Sequence, residues 1–292
     1  MNQNADGGVI ETLKTCDGYY EVVKSHSGKR LTPLVGYAGT YDSEGKLHYV
    51  GDVFYNFVRA ERQPLVLRRF AENFARKHFS HPLHDAPKSY TFVGAPEGGI
   101  MFTAMLGAAI ADCGYAVCTI FAQKQKVQSG EAGQRDTTTF ILDRHEIEKG
   151  SLVIGVEDVC NNRSSAKLIK KLAEESGALF GGIVCMLNRS DQTQAEGEPI
   201  IALEHIPTVQ YRQDNPAVAE DIAAGNVVWK PKPFRNWLPL IAKMKAAQAV
   251  ATQGSQEAFT FPPVEPRREF QDSKVLGTGF PEARSFGAPD SD

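Results

Sequence analysis

The chain is short of cysteine, and its cysteines suit neither a disulfide framework nor a metal knot. There are five, Cys16, Cys113, Cys118, Cys160 and Cys185. The number is odd, no CxxC spacing occurs, and three sit in apolar surroundings. Reduced, buried thiols in a cytoplasmic protein are therefore expected. Long hydrophobic runs are missing too: no apolar segment approaches the ~18 residues a membrane helix needs. The opening MNQNADGGVIETLKTCDGYY has no basic stretch leading into an apolar one, so no secretory leader is expected. Charge of one sign is lacking as well. The 32 Lys and Arg against 35 Asp and Glu leave a net charge of −3. Nothing global advertises nucleic acid or an acidic membrane surface, and neither is expected as a partner. GxGxxG is absent, which argues against a dinucleotide fold, and GxxxxGK(S/T) is absent, which argues against a Walker NTPase. No internal repeat is visible.

What is there is a chain of 292 residues with an ordinary 42% apolar share, enough for one large domain or two small ones. Residues 246–292 mix Pro, Gly, charge and scattered aromatics (Phe259, Phe261, Phe270, Phe280) without a period. They read as a tail without its own core, either solvated or draped over a partner subunit. The body, 1–245, alternates helix-like and strand-like segments. RQPLVLRRFAENFARKHF places Leu65, Leu67, Phe70, Phe74 and Phe79 at helical spacing. YTFVG, YAVCTIFA, GSLVIGVED and FGGIVCML read as strands, and IMFTAMLGAAIADCG and SSAKLIKKLAEES as helices between them. Such alternation implies βαβ units and an α/β fold with a mostly parallel central sheet flanked by helices, whose ligands bind at the carboxyl ends of strands.

Two unusual turns fall at such ends. In VIGVEDVCNNRSSA, a strand runs into Glu157-Asp158 and then a polar turn opening a helix. Adjacent carboxylates repel; they make sense against ribose hydroxyls or a divalent cation. A helix start with Ser164 and Ser165 beside it suits a phosphate. A ribose 5-phosphate meets both demands; the structural alternative is an acidic N-cap on a surface helix. In VGAPEGGI, the glycines 94, 98 and 99 permit close approach of backbone to an anion.

These segments together resemble the type I phosphoribosyltransferases, and within them most the orotate phosphoribosyltransferases. VIGVEDVCNNRSSA is similar to the family's ribose-phosphate signature and VGAPEGGI to its pyrophosphate loop. SGKRLTPLVGYAG (27–39) is similar to its amino-terminal hood segment, AQKQKVQSGEAG (122–133) to its mobile loop, and VCMLNRSD to the strand end that reaches the base. They occur in family order over roughly residues 20–190. The resemblance implies a hood at about 15–60, a core at about 61–215, and transfer of a 5-phosphoribosyl group from PRPP to a nucleobase, with Mg²⁺ as cofactor. It also implies a homodimer whose mobile loop reaches the neighbour's site. Carried over residue by residue, Glu157 and Asp158 hold the ribose hydroxyls, and Val159, Cys160, Asn161, Asn162, Arg163, Ser164 and Ser165 wrap the 5-phosphate. Ala95, Pro96, Glu97 and Gly98 cradle pyrophosphate. Lys124, Lys126 and Asp158 are the catalytic candidates, and Arg189, Lys24 and Lys29 the base-binding ones. Mg²⁺ would come with PRPP and water, touching the protein at most through Glu157 and Asp158.

The departures are informative. Gln123, Val127 and Ser129 stand where the family's loop carries Arg, Lys and His. Arg163 stands where the phosphate turn has Gly, so Asn161 or Asn162 is expected to adopt the left-handed backbone in its place. Val35-Gly36 replace paired aromatics of the hood, which leaves the base open. Besides the orotate-type enzyme, an enzyme for another base and a catalytically weak PRPP- or nucleotide-binding regulator remain as readings. NVVWKPKPFRNWLPLIAKMKAAQ, beyond the resemblance, reads as a helix closing the domain, or as Trp229 and Trp237 lining a site or a dimer contact.

Overall fold

The structure is a computed structural model and describes residues 8–42, 47–79, 90–128 and 137–257. The tail aromatics Phe259, Phe261, Phe270 and Phe280, and Ser129 with residues 130–133, lie outside them. In chain order the elements begin with α1 (Val9–Thr15), β1 (Tyr19–Glu21), β2 (Leu34–Thr40), β3 (His48–Gly51), β4 (Val53–Tyr55), α2 (Val58–Glu61) and α3 (Pro64–His78). The centre follows as β5 (Tyr90–Gly94), α4 (Gly99–Ala111), β6 (Val117–Phe121), β7 (Gln123–Gln128), β8 (Thr137–Ile141), β9 (Leu152–Cys160), α5 (Ser164–Glu175) and β10 (Leu179–Asn188). The chain then forms β11 (Gln194–Ala195), β12 (Glu198–His205), α6 (Ala219–Ala223), β13 (Val227–Val228) and α7 (Phe234–Glu257).

The central sheet has six strands in the order β11-β12-β10-β9-β5-β6. All neighbours are parallel except the short edge strand β11. The fold is therefore α/β with a mostly parallel sheet, as the alternation of segments implies. Helices cover both faces because each buries one apolar stripe. On one face, Leu67, Phe70 and Phe74 of α3 and Phe102, Leu106 and Ile110 of α4 pack with Phe92, Ile154 and Val156. On the other, Ala166, Ile169, Leu172 and Ala173 of α5 pack on Val93, Val153 and Ile183. Leu65, expected among the apolar spacings, is 73% exposed. It is the second residue after Gln63, where Pro64 opens the helix, and falls outside the buried stripe.

The amino-terminal hood consists of the pair β1-β4 and the sheet β13-β2-β3. It is built partly from the far end of the chain: β13 adds to β2, and Trp237, Leu240 and Ile241 of α7 fill its core with Tyr20, Leu34 and Val35. Trp237, one of two candidates for lining a site, is instead fully buried, its indole N–H donating to the carbonyl of Asp17 at 2.7 Å. The helix that closes the domain runs on to Glu257, past the expected start of the tail at 246. No described helix is long and apolar enough to cross a membrane. Cys16, Cys160 and Cys185 are buried, and all five thiols are free.

Candidate active site

The two unusual turns meet at the carboxyl edge of the sheet. β5 stops at Gly94, opposite Val156 of β9, and the Ala95 N–H then donates to the Val156 carbonyl at 2.9 Å. β9 continues to Cys160 against β10 alone. Glu157 and Asp158 thus lie on a stretch whose other edge is open to the Ala95–Gly98 turn. The approach is so close that a Cβ on Gly98 would stand 2.7 Å from the Asp158 carboxylate, and one on Gly99 would stand 2.2 Å from the Val156 carbonyl. At Gly99 the obstacle is main chain, so only glycine fits; at Gly98 any side chain would have to displace the Asp158 carboxylate. The peptide bond between Pro96 and Glu97 is cis.

The pleat separates the two acids. Side chains alternate across a strand, so Asp158 turns to the α4 face beside Gly98, and its Oδ1 accepts from the Val159 N–H at 2.8 Å. Glu157 turns to the α5 face. Burial pushes its carboxyl up to about 7, with the Asp158 charge acting in the same direction and hydrogen bonding from Ser165 and Cys160 against it. At neutral pH one member of the pair is thus close to half-protonated.

The polar turn differs from expectation in its backbone. Arg163 itself, not Asn161 or Asn162, is left-handed, with φ 59° and ψ 14°, as the residue capping α5. The asparagines are committed elsewhere. Asn162 Oδ1 accepts from the Ser164 hydroxyl at 2.9 Å and the Ser164 N–H at 3.3 Å, and Asn161 Oδ1 accepts from Gln210 Nε2 at 2.9 Å. An Asx-type bond to the next-but-one residue closes this turn, and the left-handed step falls on the residue between. The Arg163 side chain is exposed, as are Asn162 and Ser164; Val159 and Ser165 are half-buried. The Cys160 thiol sits in the core within hydrogen-bonding reach of the Glu157 carboxyl, and burial pushes it up to about 12.

Arg189 follows β10, two strands from the one that ends in the Ala95–Gly98 turn. Its N–H donates to the Cys160 carbonyl at 2.9 Å and its carbonyl accepts from the Thr208 N–H at 3.0 Å. The residue is only 5% exposed. Its guanidinium lies 4.2 Å over the Tyr37 ring and 5.8 Å from that of Tyr55, while Nε and Nη2 are buried without an acceptor. Buried donors of a charged group are normally satisfied, so these two stand out. Lys24 is tied to Asp52 at 3.0 Å, and Asp52 also accepts from Arg30 Nε at 2.8 Å. Lys24 and Tyr55 both line a cleft of about 560 Å³ under the hood. Lys29 is exposed in the hood turn, away from that cleft. Lys124 and Lys126 are exposed on β7, which starts directly after Ala122, whose N–H donates to the Gly94 carbonyl at 3.0 Å. The hairpin β7-β8 therefore rises from the same edge.

Four further residues belong to this neighbourhood: Tyr37 and Tyr55 under Arg189, and Glu61 with Lys232, the charges of Lys232 and Asp158 both reaching Glu61. Tyr37 stands inside the segment 27–39, where nothing local points it at Arg189, and Tyr55, Glu61 and Lys232 lie outside the resembling motifs. Among the described residues no group of three or more His, Cys, Asp or Glu is arranged to hold a metal ion. Glu157 and Asp158 offer hard oxygen donors that fit a Mg²⁺ carried mainly by phosphate and water.

No protein-family model matches the chain, and no curated protein sequence matches it. Several solved structures are similar to it in fold. The orotate phosphoribosyltransferase of Aeropyrum pernix shares 12% identity, covering 74% of this chain and 99% of that one, with a TM-score of 0.43. A UMP synthase of Leishmania donovani shares 13% identity over 85% of this chain, TM-score 0.42, and the chain spans 43% of that protein's length. The adenine phosphoribosyltransferase of Saccharomyces cerevisiae shares 21% identity over 59% of this chain and 94% of that one, TM-score 0.38.

Proposed function

We propose that this protein transfers the 5-phosphoribosyl group of PRPP to an acidic nucleobase, orotate being the best fit, releasing pyrophosphate. The observation that carries the reading is the approach of Gly98 to the Asp158 carboxylate. It places a turn suited to pyrophosphate against acids suited to ribose hydroxyls, at one edge of one sheet, so that a single ligand can span both. Asp158 and Glu157 accept from the ribose hydroxyls. The turn from Val159 to Ser165 takes the 5-phosphate, with Arg163 adding charge. The main chain of Ala95, Pro96, Glu97 and Gly98 cradles pyrophosphate, and Lys124 and Lys126 meet the charge that builds as it leaves. Mg²⁺, arriving with PRPP, supplies further neutralisation. Arg189, short of acceptors, supports an acidic base; Lys24 and Lys29 sit in the hood as secondary candidates. Catalysis of this kind is positioning and charge stabilisation. We place the activity in the cytoplasm, consistent with five unpaired thiols, and in a homodimer.

A second reading has support of its own. Gln123 and Val127 on β7 cannot supply the positive charge that the resembling family has at those places, which favours a binder with little turnover. Incubation of the protein with PRPP, Mg²⁺ and each of a panel of free bases, with pyrophosphate release as readout, separates the two. Release with orotate above all other bases is expected. Tight PRPP binding with no release on any base would replace the enzyme by the binder.

A further inference from the structure

The segment Trp229–Phe234, which leads from β13 into α7, is held by contacts to the hood, to α2 and to α7. The Trp229 ring lies on Gly36, where a Cβ would come within 2.3 Å of it. The Lys230 carbonyl accepts from Asn236 Nδ2 at 2.9 Å, and the Lys232 carbonyl from Asn56 Nδ2 at 3.4 Å. The Phe234 ring lies 5.8 Å from the guanidinium carbons of Arg59 and Arg62. Pro231 and Pro233 flank Lys232 and fix its backbone on both sides. The strap is held, yet its central side chain is exposed.

Geometry ties the strap to α2, through Asn56 on the Lys232 carbonyl and Arg59 and Arg62 on the Phe234 ring. Lys232 lies within electrostatic reach of Glu61, the last residue of α2, and so do Asp158 and Glu97. Glu61 Oε1 is buried without a hydrogen-bond partner, and among the described residues Lys232 forms no closed ion pair. Burial and the Asp158 charge push the Glu61 carboxyl up to about 7, while Lys232 opposes the rise. A cation thus lies within electrostatic reach of a partly ionised carboxyl on which the charges of Asp158 and Glu97 also act.

We infer that Lys232 is a fixed pyrophosphate-binding cation, presented by the Trp229–Phe234 strap to the turn at Pro96–Gly98, with Glu61 positioning its ammonium. The inference rests on the phosphoribosyl-transfer reading of the site. It also answers a shortage in that reading: the hairpin that should bring mobile charge to the leaving group has Gln123 and Val127 where basic residues are expected. A lysine on a pinned strap loses less entropy on binding than one on a free loop.

The test uses full-length protein and magnesium pyrophosphate in titration calorimetry, so that no turnover is needed. Lys232→Gln is expected to weaken pyrophosphate binding about tenfold or more, and the loss should shrink at high salt, as for any accessible charge. Ribose 5-phosphate binding should stay within about twofold, because the 5-phosphate turn lies elsewhere. Lys232→Arg should recover most of the affinity. Lys243→Gln, exposed on α7, is the charge control and should change nothing. Because the strap is anchored through the Lys232 carbonyl, not its side chain, the variant should keep the wild-type circular dichroism. Pyrophosphate affinity unchanged in Lys232→Gln, in a protein that still turns over PRPP, overturns this inference and leaves the function standing. A wild type that binds neither pyrophosphate nor PRPP overturns both.

Discussion

At the scale of single residues the site holds two groups in states that their residue types do not favour. Glu157 is a carboxyl raised to about 7 by burial. Its protonated form is the one the fold prefers, so the stability it contributes is fully present below the ordinary carboxylate range and is lost as pH rises through 7. Glu157→Gln keeps the shape and removes the titration. In urea denaturation the stability of the variant relative to wild type should rise by on the order of 1–3 kcal/mol between pH 5 and pH 8. Glu61, also raised to about 7, tilts both proteins alike and cancels. An equal difference at both pH values would show that Glu157 is not the titrating group. Arg163 is the second case. A non-glycine residue at φ 59° costs about 1–2 kcal/mol, so Arg163→Gly should gain up to about 1 kcal/mol in the same assay, offset partly by chain entropy. The same change should weaken ribose 5-phosphate binding in calorimetry, because it removes the exposed charge at the phosphate turn. A variant that is both weaker-folding and unaltered in binding would remove the strain argument and the charge argument together.

At the scale of elements the decisive contact is between the α4 start and the β9 end. Gly98 has ordinary right-handed backbone, φ −71° and ψ −24°, so alanine is conformationally welcome and by itself would gain up to about 1 kcal/mol through the lower entropy of the unfolded chain. Its Cβ, however, would press on the Asp158 carboxylate. Gly98→Ala should therefore leave stability within about 1 kcal/mol of wild type while PRPP affinity falls about tenfold or more, because the turn or the carboxylate must shift. Retained affinity would mean that the two turns do not share a ligand. The elements themselves were legible in the sequence. The strands carry unbroken apolar runs bounded by turn residues, α5 repeats its apolar residues at three and four, and the acids mark where β9 meets solvent. What was not legible is what returns from afar. β13 is two residues long, and its pairing with β2, the seating of Trp237 in the hood core and the Tyr37 ring under Arg189 join segments between about 150 and 220 positions apart. Periodicity sees only neighbours along the chain. The backbone of Arg163 escaped for a related reason: asparagine is the ordinary left-handed residue, but both candidates spend their side-chain oxygens on Ser164 and Gln210.

At the scale of the whole molecule the open question is whether one chain makes a complete site. The β7-β8 hairpin leaves the carboxyl edge of the sheet with Lys124 and Lys126 exposed, as a loop that serves a neighbouring subunit would. Light scattering should give twice the chain mass. Lys124→Ala should lower kcat about 10²-fold with a much smaller change in PRPP affinity, since this lysine meets charge that exists mainly in the transition state. Whether it acts across a dimer is then decided by mixing. Lys124→Ala chains lack the loop cation, and Asp158→Asn chains lack the ribose acid. If the loop works on its own chain, every site in a mixed dimer carries one defect and mixing restores nothing. If it reaches the partner, each mixed dimer has one site with both defects and one with neither. Random reassociation of equal amounts makes half the dimers mixed, so about a quarter of wild-type activity should return. Recovery to that level after denaturation and joint refolding is the expected outcome. Activity no greater than the mean of the two variants would confine Lys124 to its own subunit.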